Sequence, residues 1–229
     1  MTPSRTRRPR AAMFAALFVA ACGGAPHTAV RTSPEPTPGG QGDIAALARA
    51  RADSARHRYT DADVAFMSGM IHHHAQAIVM SGWAPSHQAG PSVRILAERI
   101  INAQQDEIVT MQQWLRDRGQ PVPDATPTGM KMVMNGEEHV MLMPGMLTGA
   151  QMTQLDQTRG PEFDRLFLTF MIQHHRGAVS MVKDLFASQG AAQDETVFKF
   201  ASDVNVDQTT EIARMERMLT ALALEGPSS

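Results

Sequence analysis

The chain has 229 residues, a net charge of −2, 17 methionines and one cysteine. If the N-terminal stretch does not pack, this length suits one helical bundle of ordinary size. The composition gives no basic face of the kind that binds nucleic acid, and a single cysteine excludes an intrachain disulfide. The fold is therefore expected to depend on packing alone, and no nucleic-acid partner is expected.

The N-terminus predicts export and lipid attachment. A cluster of arginines precedes an apolar segment, 11–21, that is too short to span a bilayer, and residues 19–22 (Val-Ala-Ala-Cys) resemble a lipoprotein cleavage box. We predict a signal peptide at 1–21 and Cys22 as the lipidated residue of a cell-envelope protein that faces the periplasm. An ordinary secretory leader is the alternative. Gly23 favours sorting to the outer membrane.

Composition divides the rest of the chain. Residues 22–42 are rich in Gly, Pro, Ser and Thr and predict a disordered tether. Residues 43–225 are expected to form the folded domain, with a short amphipathic helix at 43–57.

The domain contains the same helical pattern twice. Five residues of the first copy recur about 100 positions later: Phe66, Met70, His73, His74 and Met80 match Phe167, Met171, His174, His175 and Met181. A second pattern also recurs: Gln104, Glu107, Ile108 and Met111 match Gln208, Glu211, Ile212 and Met215. Each repeat, at 60–118 and 161–222, is predicted to be a helical hairpin. The two hairpins, joined by a Met-rich crossover at 119–160, predict an all-α, ferritin-like four-helix bundle.

Local signals predict where several elements begin. Thr60 with Asp63 has the pattern of a capping box, Ser92 is placed to cap the second helix, and Asp194 is placed to open the last one. Thr148 predicts the start of another short helix. The Asn-Gly pair at 135–136, between alternating residues, predicts a β-hairpin.

Duplicated imidazole and thioether side chains indicate a soft metal ion. At about 100° per residue, Met70, His73, His74 and Met80 fall within one arc of their helix, and the second repeat has the same arrangement. His72 falls on the opposite side and is predicted to face solvent. Histidine and methionine together suit copper(I), with silver(I) as the second candidate.

The helix that follows in each repeat has polar residues on its apolar stripe. Gln104 and Glu107, like Gln208 and Glu211, lie where a core residue is expected. A buried carboxylate needs a partner, and a facing histidine can donate one ring N–H while its other nitrogen stays free for metal. The pairs expected are His73–Glu107 and His174–Glu211. The alternative is that these pairs only fix helix register, and that the methionines only fill the core.

The crossover supplies further soft side chains. They are Met130, Met132, Met134, His139, Met141, Met143 and Met146. One interpretation is an auxiliary, open metal-capturing element, because a thioether needs no deprotonation before it binds a soft ion. The other is a small hairpin that packs flexible side chains against the helices.

Three patterns together resemble a known bacterial family. They are Met-Ile-x-His-His-x-x-Ala-[Ile/Val]-x-Met in both repeats, Gln-x-x-Glu-Ile-x-x-Met after each, and Met-Pro-Gly-Met-Leu-Thr at 143–148. Over about residues 59–222 the chain resembles the domain of unknown function 305 family. The resemblance implies a ferritin-like bundle, usually exported, with some members similar to periplasmic proteins that sequester copper(I) or silver(I). The metal ligands that it implies are Met70, His73, His74, Met80, Met111, Met171, His174, His175, Met181 and Met215. The repeats differ where His72 aligns with Gln173 and where Met67 aligns with Leu168.

The function expected from the sequence is metal binding by an exported, lipid-anchored protein, with no organic cofactor and no enzymatic activity. A ferritin-like di-metal enzyme is the alternative from another class. Such sites use a Glu-x-x-His pair on each of two helices, and the sequence contains no such pair. A third interpretation is a structural envelope protein whose histidines belong to the core.

Overall fold

The computed structural model describes Ile44, residues 59–134 and residues 136–225. Among these residues the chain is mostly helical, with one small antiparallel sheet. The elements are α1 (Asp61–Gly82), α2 (Pro91–Asp117), β1 (Met130–Met134), β2 (Glu137–Met141), α3 (Gly149–Gln157), α4 (Gly160–Ala187) and α5 (Glu195–Glu225). None of the described helices has the length and apolar character needed to cross a membrane. The predicted signal peptide, Cys22 and the tether lie outside the described residues, as does the helix at 43–57 except for Ile44.

Two predicted capping boxes are present. The Thr60 hydroxyl accepts the backbone N–H of Asp63, and the Asp63 carboxylate accepts the Thr60 N–H at 2.7 Å, which starts α1. Thr148 and Gln151 make the same reciprocal pair before α3. Such boxes satisfy N–H groups that the first turn of a helix leaves without partners. These helix starts could therefore be located from the sequence alone.

The predicted role of Ser92 is wrong. Gly90 is the residue before α2, Pro91 takes the first helical position, and no side chain caps this end. The Gly90 N–H instead donates to the Asp164 carboxylate of the second repeat, at 3.0 and 3.1 Å. The backbone N–H of the residue before α2 is therefore bound by a carboxylate 74 residues away.

The corresponding aspartate of the first repeat makes the matching contact. Asp63 accepts the N–H of Ala192, in the loop that precedes α5, at 2.7 Å. Each repeat thus uses an aspartate near the start of its histidine helix to hold the interhelical loop of the other repeat. Asp194 then opens α5 as predicted, since it accepts the N–H groups of Thr196 and Val197.

Tertiary packing joins the repeats through their histidine helices. α1 packs mainly on α2 and α4 mainly on α5, while α1 also contacts α4. This arrangement brings the duplicated histidines of α1 and α4 towards each other.

The crossover forms the predicted hairpin and then returns to the helices. β1 and β2 are antiparallel, with Met130 opposite Met141 and Met132 opposite His139. Past the hairpin, the chain crosses α4 so closely that a Cβ at Gly177 would overlap the Pro144 carbonyl and lie 2.6 Å from the Gly145 Cα. Only a residue without a side chain allows this approach.

Candidate metal centre

Four buried histidines meet between α1 and α4. His73, His74, His174 and His175 have no exposed surface. The rings of His73 and His174 lie with their centroids 3.8 Å apart, whereas neighbours on one helix are 6.2 and 6.4 Å apart. The inner pair, His73 and His174, therefore joins the two repeats, and His74 and His175 form an outer pair.

A glutamate from the next helix holds each outer histidine. The Nε2 atom of His74 lies 2.6 Å from Glu107 Oε2, and that of His175 lies 2.7 Å from Glu211 Oε2. An ionised carboxylate only accepts hydrogen bonds, so Nε2 is the donor, and in the neutral form of the ring Nδ1 then keeps a lone pair. Both Nδ1 atoms are buried and have no hydrogen-bond partner among the residues that the structure describes. This is the arrangement in which a carboxylate orients a histidine for metal binding.

The predicted pairing of these glutamates with His73 and His174 is wrong. Successive helical residues point about 100° apart, so only one histidine of each tandem pair can face the second helix of its own hairpin. His74 and His175 face that helix. The other histidine of each pair faces the opposite repeat.

The inner histidines have fewer hydrogen-bond partners. His73 donates its Nε2–H to the Pro144 carbonyl at 3.0 Å. Within the described part of the chain, its Nδ1 and both ring nitrogens of His174 have no hydrogen-bond partner. Burial lowers the pKa of both side chains well below the usual 6.5, and the neighbouring histidines lower it further. Both rings are therefore neutral at pH 7 and keep lone pairs that can bind a metal ion.

The six methionines predicted as ligands divide equally between two buried hydrophobic clusters. Met70, Met111 and Met181 belong to one buried cluster, and Met171, Met215 and Met80 belong to another. Each cluster takes two methionines from one repeat and the third from the other. The six predicted thioether ligands are all buried.

Two of the crossover methionines reach the first cluster. Met143 and Met146 are buried there, and the Met143 N–H donates to the Met146 sulfur at 3.3 Å. Met130 is half-buried at the edge of the same cluster, whereas Met141 and His139 are exposed. For Met132 and Met134 the structure describes only the strand position, so their side chains are not placed.

The prediction that His72 faces solvent is wrong. Its ring is buried, and Nδ1 lies 3.1 Å from the Thr126 hydroxyl and 3.2 Å from the Thr126 carbonyl. The crossover folds over the face of α1 that appears polar when the helix is considered alone. Gln76 holds the same segment through hydrogen bonds to the backbone of Leu147, at 2.6 and 3.0 Å. Neither contact had a local sequence signal.

Gln104 and Gln208 are buried but do not bind the histidines. Among the described residues, both amide atoms of Gln104 and the carbonyl oxygen of Gln208 lack hydrogen-bond partners. The two glutamines therefore differ from Glu107 and Glu211, each of which binds a histidine.

The donor atoms at the centre suit a soft ion. No group of three or more His, Cys, Asp or Glu side chains among the described residues is arranged to hold a metal ion. The centre contains four buried imidazoles, and two hydrophobic clusters contain the six buried thioethers. Imidazole and thioether donors together suit copper(I) or silver(I).

Fold and site together define a helical protein with a duplicated histidine and methionine core. The family model described as "Domain of unknown function (DUF305)" matches residues 63–219. The chain belongs to this family. It also shares 41% identity over 56 residues with uncharacterized protein L153 of Acanthamoeba polyphaga mimivirus, and this segment spans 24% of the chain and 37% of that protein.

Solved structures of similar sequence support the assignment. A DUF305 protein from Streptomyces coelicolor, provisionally described as secreted, has 29% sequence identity to this chain and a TM-score of 0.59. The match covers 71% of this chain and 94% of the Streptomyces chain. A DUF305 fragment from Deinococcus radiodurans has 27% identity and the same TM-score, over 71% and 98%. CopM in its Cu(I)-bound form has 26% identity and a TM-score of 0.53, over 69% and 96%, and CopM has also been solved with Cu(II) and with silver.

Proposed function

We propose that the protein binds copper(I) or silver(I) in its methionine and histidine core and that it does so as an exported, Cys22-anchored lipoprotein of the cell envelope. The observation that carries the proposal is the set of buried imidazole nitrogens without hydrogen-bond partners. Leaving a buried polar atom unpaired costs about 1–3 kcal/mol, and a bound ion offsets that cost. Similarity to CopM, which is known in Cu(I)- and Ag-bound forms, supports the choice of ion.

Each half of the core is proposed to hold one ion. In the first half, His74 lies one helical turn from Met70, and Glu107, which orients His74, lies one turn from Met111. Met181 completes this cluster from the other repeat. By the same relation, the second half uses His175, Met171, Met215 and Met80. His73 and His174 lie between the halves and can donate to either ion.

The crossover is proposed to have two roles. Met143 and Met146 lie in the first cluster and extend its thioether set. The hairpin methionines Met130, Met132, Met134 and Met141, with His139, form a weaker auxiliary capture element, because β2 is exposed along its length. The two helical hairpins are proposed to form the ferritin-like four-helix bundle expected from the sequence.

A di-metal enzyme of the ferritin type receives less support. Its hard ions need several carboxylates, whereas the four histidines of the centre contact two among the described residues, Glu107 and Glu211. We therefore propose no enzymatic activity, and buffering, resistance or delivery of a soft metal as the role.

Anaerobic titration with copper(I) against a chromophoric competitor tests the proposal. Replacement of His73, His74, His174 and His175 by Gln should remove the tight binding class while the helical circular dichroism spectrum persists. His87→Gln is the matched control, because His87 is a buried histidine outside the centre, bound to Asp156. A quadruple variant that binds copper(I) as tightly as the parent but melts at a much lower temperature would assign the histidines to the core instead. Tight zinc(II) binding without competition for copper(I) would also overturn the assignment.

A further inference from the structure

A pocket between α2 and α5 lies beside the two glutamates that bind the outer histidines. It has a volume of about 200 Å³, and its lining includes Glu107 and Glu211. The side chains of these two glutamates are 21% and 17% exposed, although the histidines that they bind have no exposed surface. Each carboxylate therefore contacts a buried histidine on one side and the pocket on the other. We call this pocket the α2–α5 pocket.

The pocket lies in acidic surroundings. Asp207 lines it together with the two glutamates, and the adjoining groove adds Asp106, Asp203 and Glu195. The basic residues nearby are Arg99 and Lys199, and Lys199 is paired with Asp203. Burial raises the pKa of Asp207, and the neighbouring Glu107, Asp203 and Glu211 raise it further. These carboxylates are close enough to repel one another, so the pocket attracts cations.

Two glutamines line the same pocket without hydrogen-bond partners. Gln104 is 2% exposed and Gln208 is 4% exposed, and both have amide atoms to which no group in residues 59–134 or 136–225 forms a hydrogen bond. They are equivalent positions of the two repeats. Burying such amides lowers stability. Both glutamines line the pocket beside the glutamates. Their amide oxygens can therefore stabilise a cation that moves through the pocket.

We propose that the α2–α5 pocket is the route by which a monovalent soft cation, copper(I) or silver(I), reaches the histidines. This inference rests on the proposed function. Carboxylate and amide oxygens attract the ion but bind a soft cation weakly, so the ion is not retained in the pocket. The outer histidines, held by the same two carboxylates, then receive it at their free Nδ1 atoms.

Stopped-flow mixing of the full-length protein with silver nitrate in chloride-free buffer tests the route. Binding is followed by tryptophan fluorescence, because Trp114 belongs to the same cluster as Met111. The variant Asp203→Asn/Asp207→Asn should bind silver(I) about 3- to 10-fold more slowly than the parent at low ionic strength. The difference should shrink as sodium nitrate is added. Asp184→Asn, which removes one charge from an exposed site on α4, should bind at the parental rate.

A second variant separates the route from a structural role. Gln104→Leu/Gln208→Leu removes the unpaired amides and should raise the melting temperature of the apoprotein while it slows silver(I) uptake. If the parent binds silver(I) and both double variants take it up at the parental rate at every ionic strength, the proposed route is wrong although metal binding stands. If the parent itself binds neither silver(I) nor copper(I), the proposed function fails and the route fails with it.

Discussion

The inner histidine pair makes stability depend on pH in a defined direction. Burial and neighbouring histidines hold the pKa of His73 and His174 well below 6.5 in the folded protein, whereas in the unfolded chain both regain the ordinary value. As pH falls below about 6.5, the unfolded chain takes up protons that the folded protein does not. The free energy of unfolding therefore decreases as the solution becomes more acidic, until the pH reaches the lowered pKa values.

The size of this effect follows from the number of groups. Each histidine that is protonated only in the unfolded state lowers the free energy of unfolding by about 1.4 kcal/mol per pH unit. Together His73 and His174 should contribute about 2.7 kcal/mol per pH unit below about pH 6. That is a large share of the roughly 5–15 kcal/mol by which a typical domain is stable.

Urea denaturation of the metal-free protein measures this contribution. The free energy of unfolding should be determined at half-unit intervals from pH 7 to pH 4.5 for the parent and for His73→Gln/His174→Gln. Carboxylates titrate in both proteins, so the useful quantity is the difference between the two slopes. We expect the parent to be steeper by about 2.7 kcal/mol per pH unit between pH 6 and 5. Equal slopes would refute the assignment of lowered pKa values to the inner pair.

Three further predictions concern the close approach of the crossover to α4, the contact between Asp164 and Gly90, and lipid attachment at Cys22. Gly177→Ala should destabilise the protein by about 2–4 kcal/mol in urea denaturation, because the new Cβ overlaps the Pro144 carbonyl. Gly82→Ala, whose Cβ would contact nothing within 4 Å, should change stability by less than about 1 kcal/mol, and equal effects of the two substitutions would contradict the steric argument. Asp164→Ala should cost about 1–3 kcal/mol, because the partly buried Gly90 N–H loses its charged acceptor, and an unchanged melting temperature would argue against a stabilising role for this contact. Cys22→Ser should abolish incorporation of a fatty-acid probe without altering copper(I) stoichiometry, and an unmutated protein that incorporates no probe would exclude lipidation.

Local chemistry explains what could be predicted correctly. The capping boxes at Thr60 and Thr148, the opening of α5 by Asp194 and the Asn-Gly hairpin each depend on residues within a few positions of one another. A side chain that accepts a hydrogen bond from a nearby backbone N–H gives a short sequence pattern that can be recognised. The sequence also predicted that Glu107 binds a histidine, because a carboxylate on the apolar stripe of a helix requires a partner.

The sequence by itself determined the duplicated helical hairpins, the soft donor atoms and the histidine–glutamate chemistry. Only the tertiary structure decided which histidine of each pair meets the glutamate, that Thr126 covers His72, and that Asp164 binds the Gly90 N–H before α2. The tertiary structure also placed Gln104 and Gln208 in a pocket rather than on the histidines. The physical reason is distance along the chain. These contacts join residues from 33 to 74 positions apart, and their geometry depends on how whole helices and the crossover pack, which no local pattern contains.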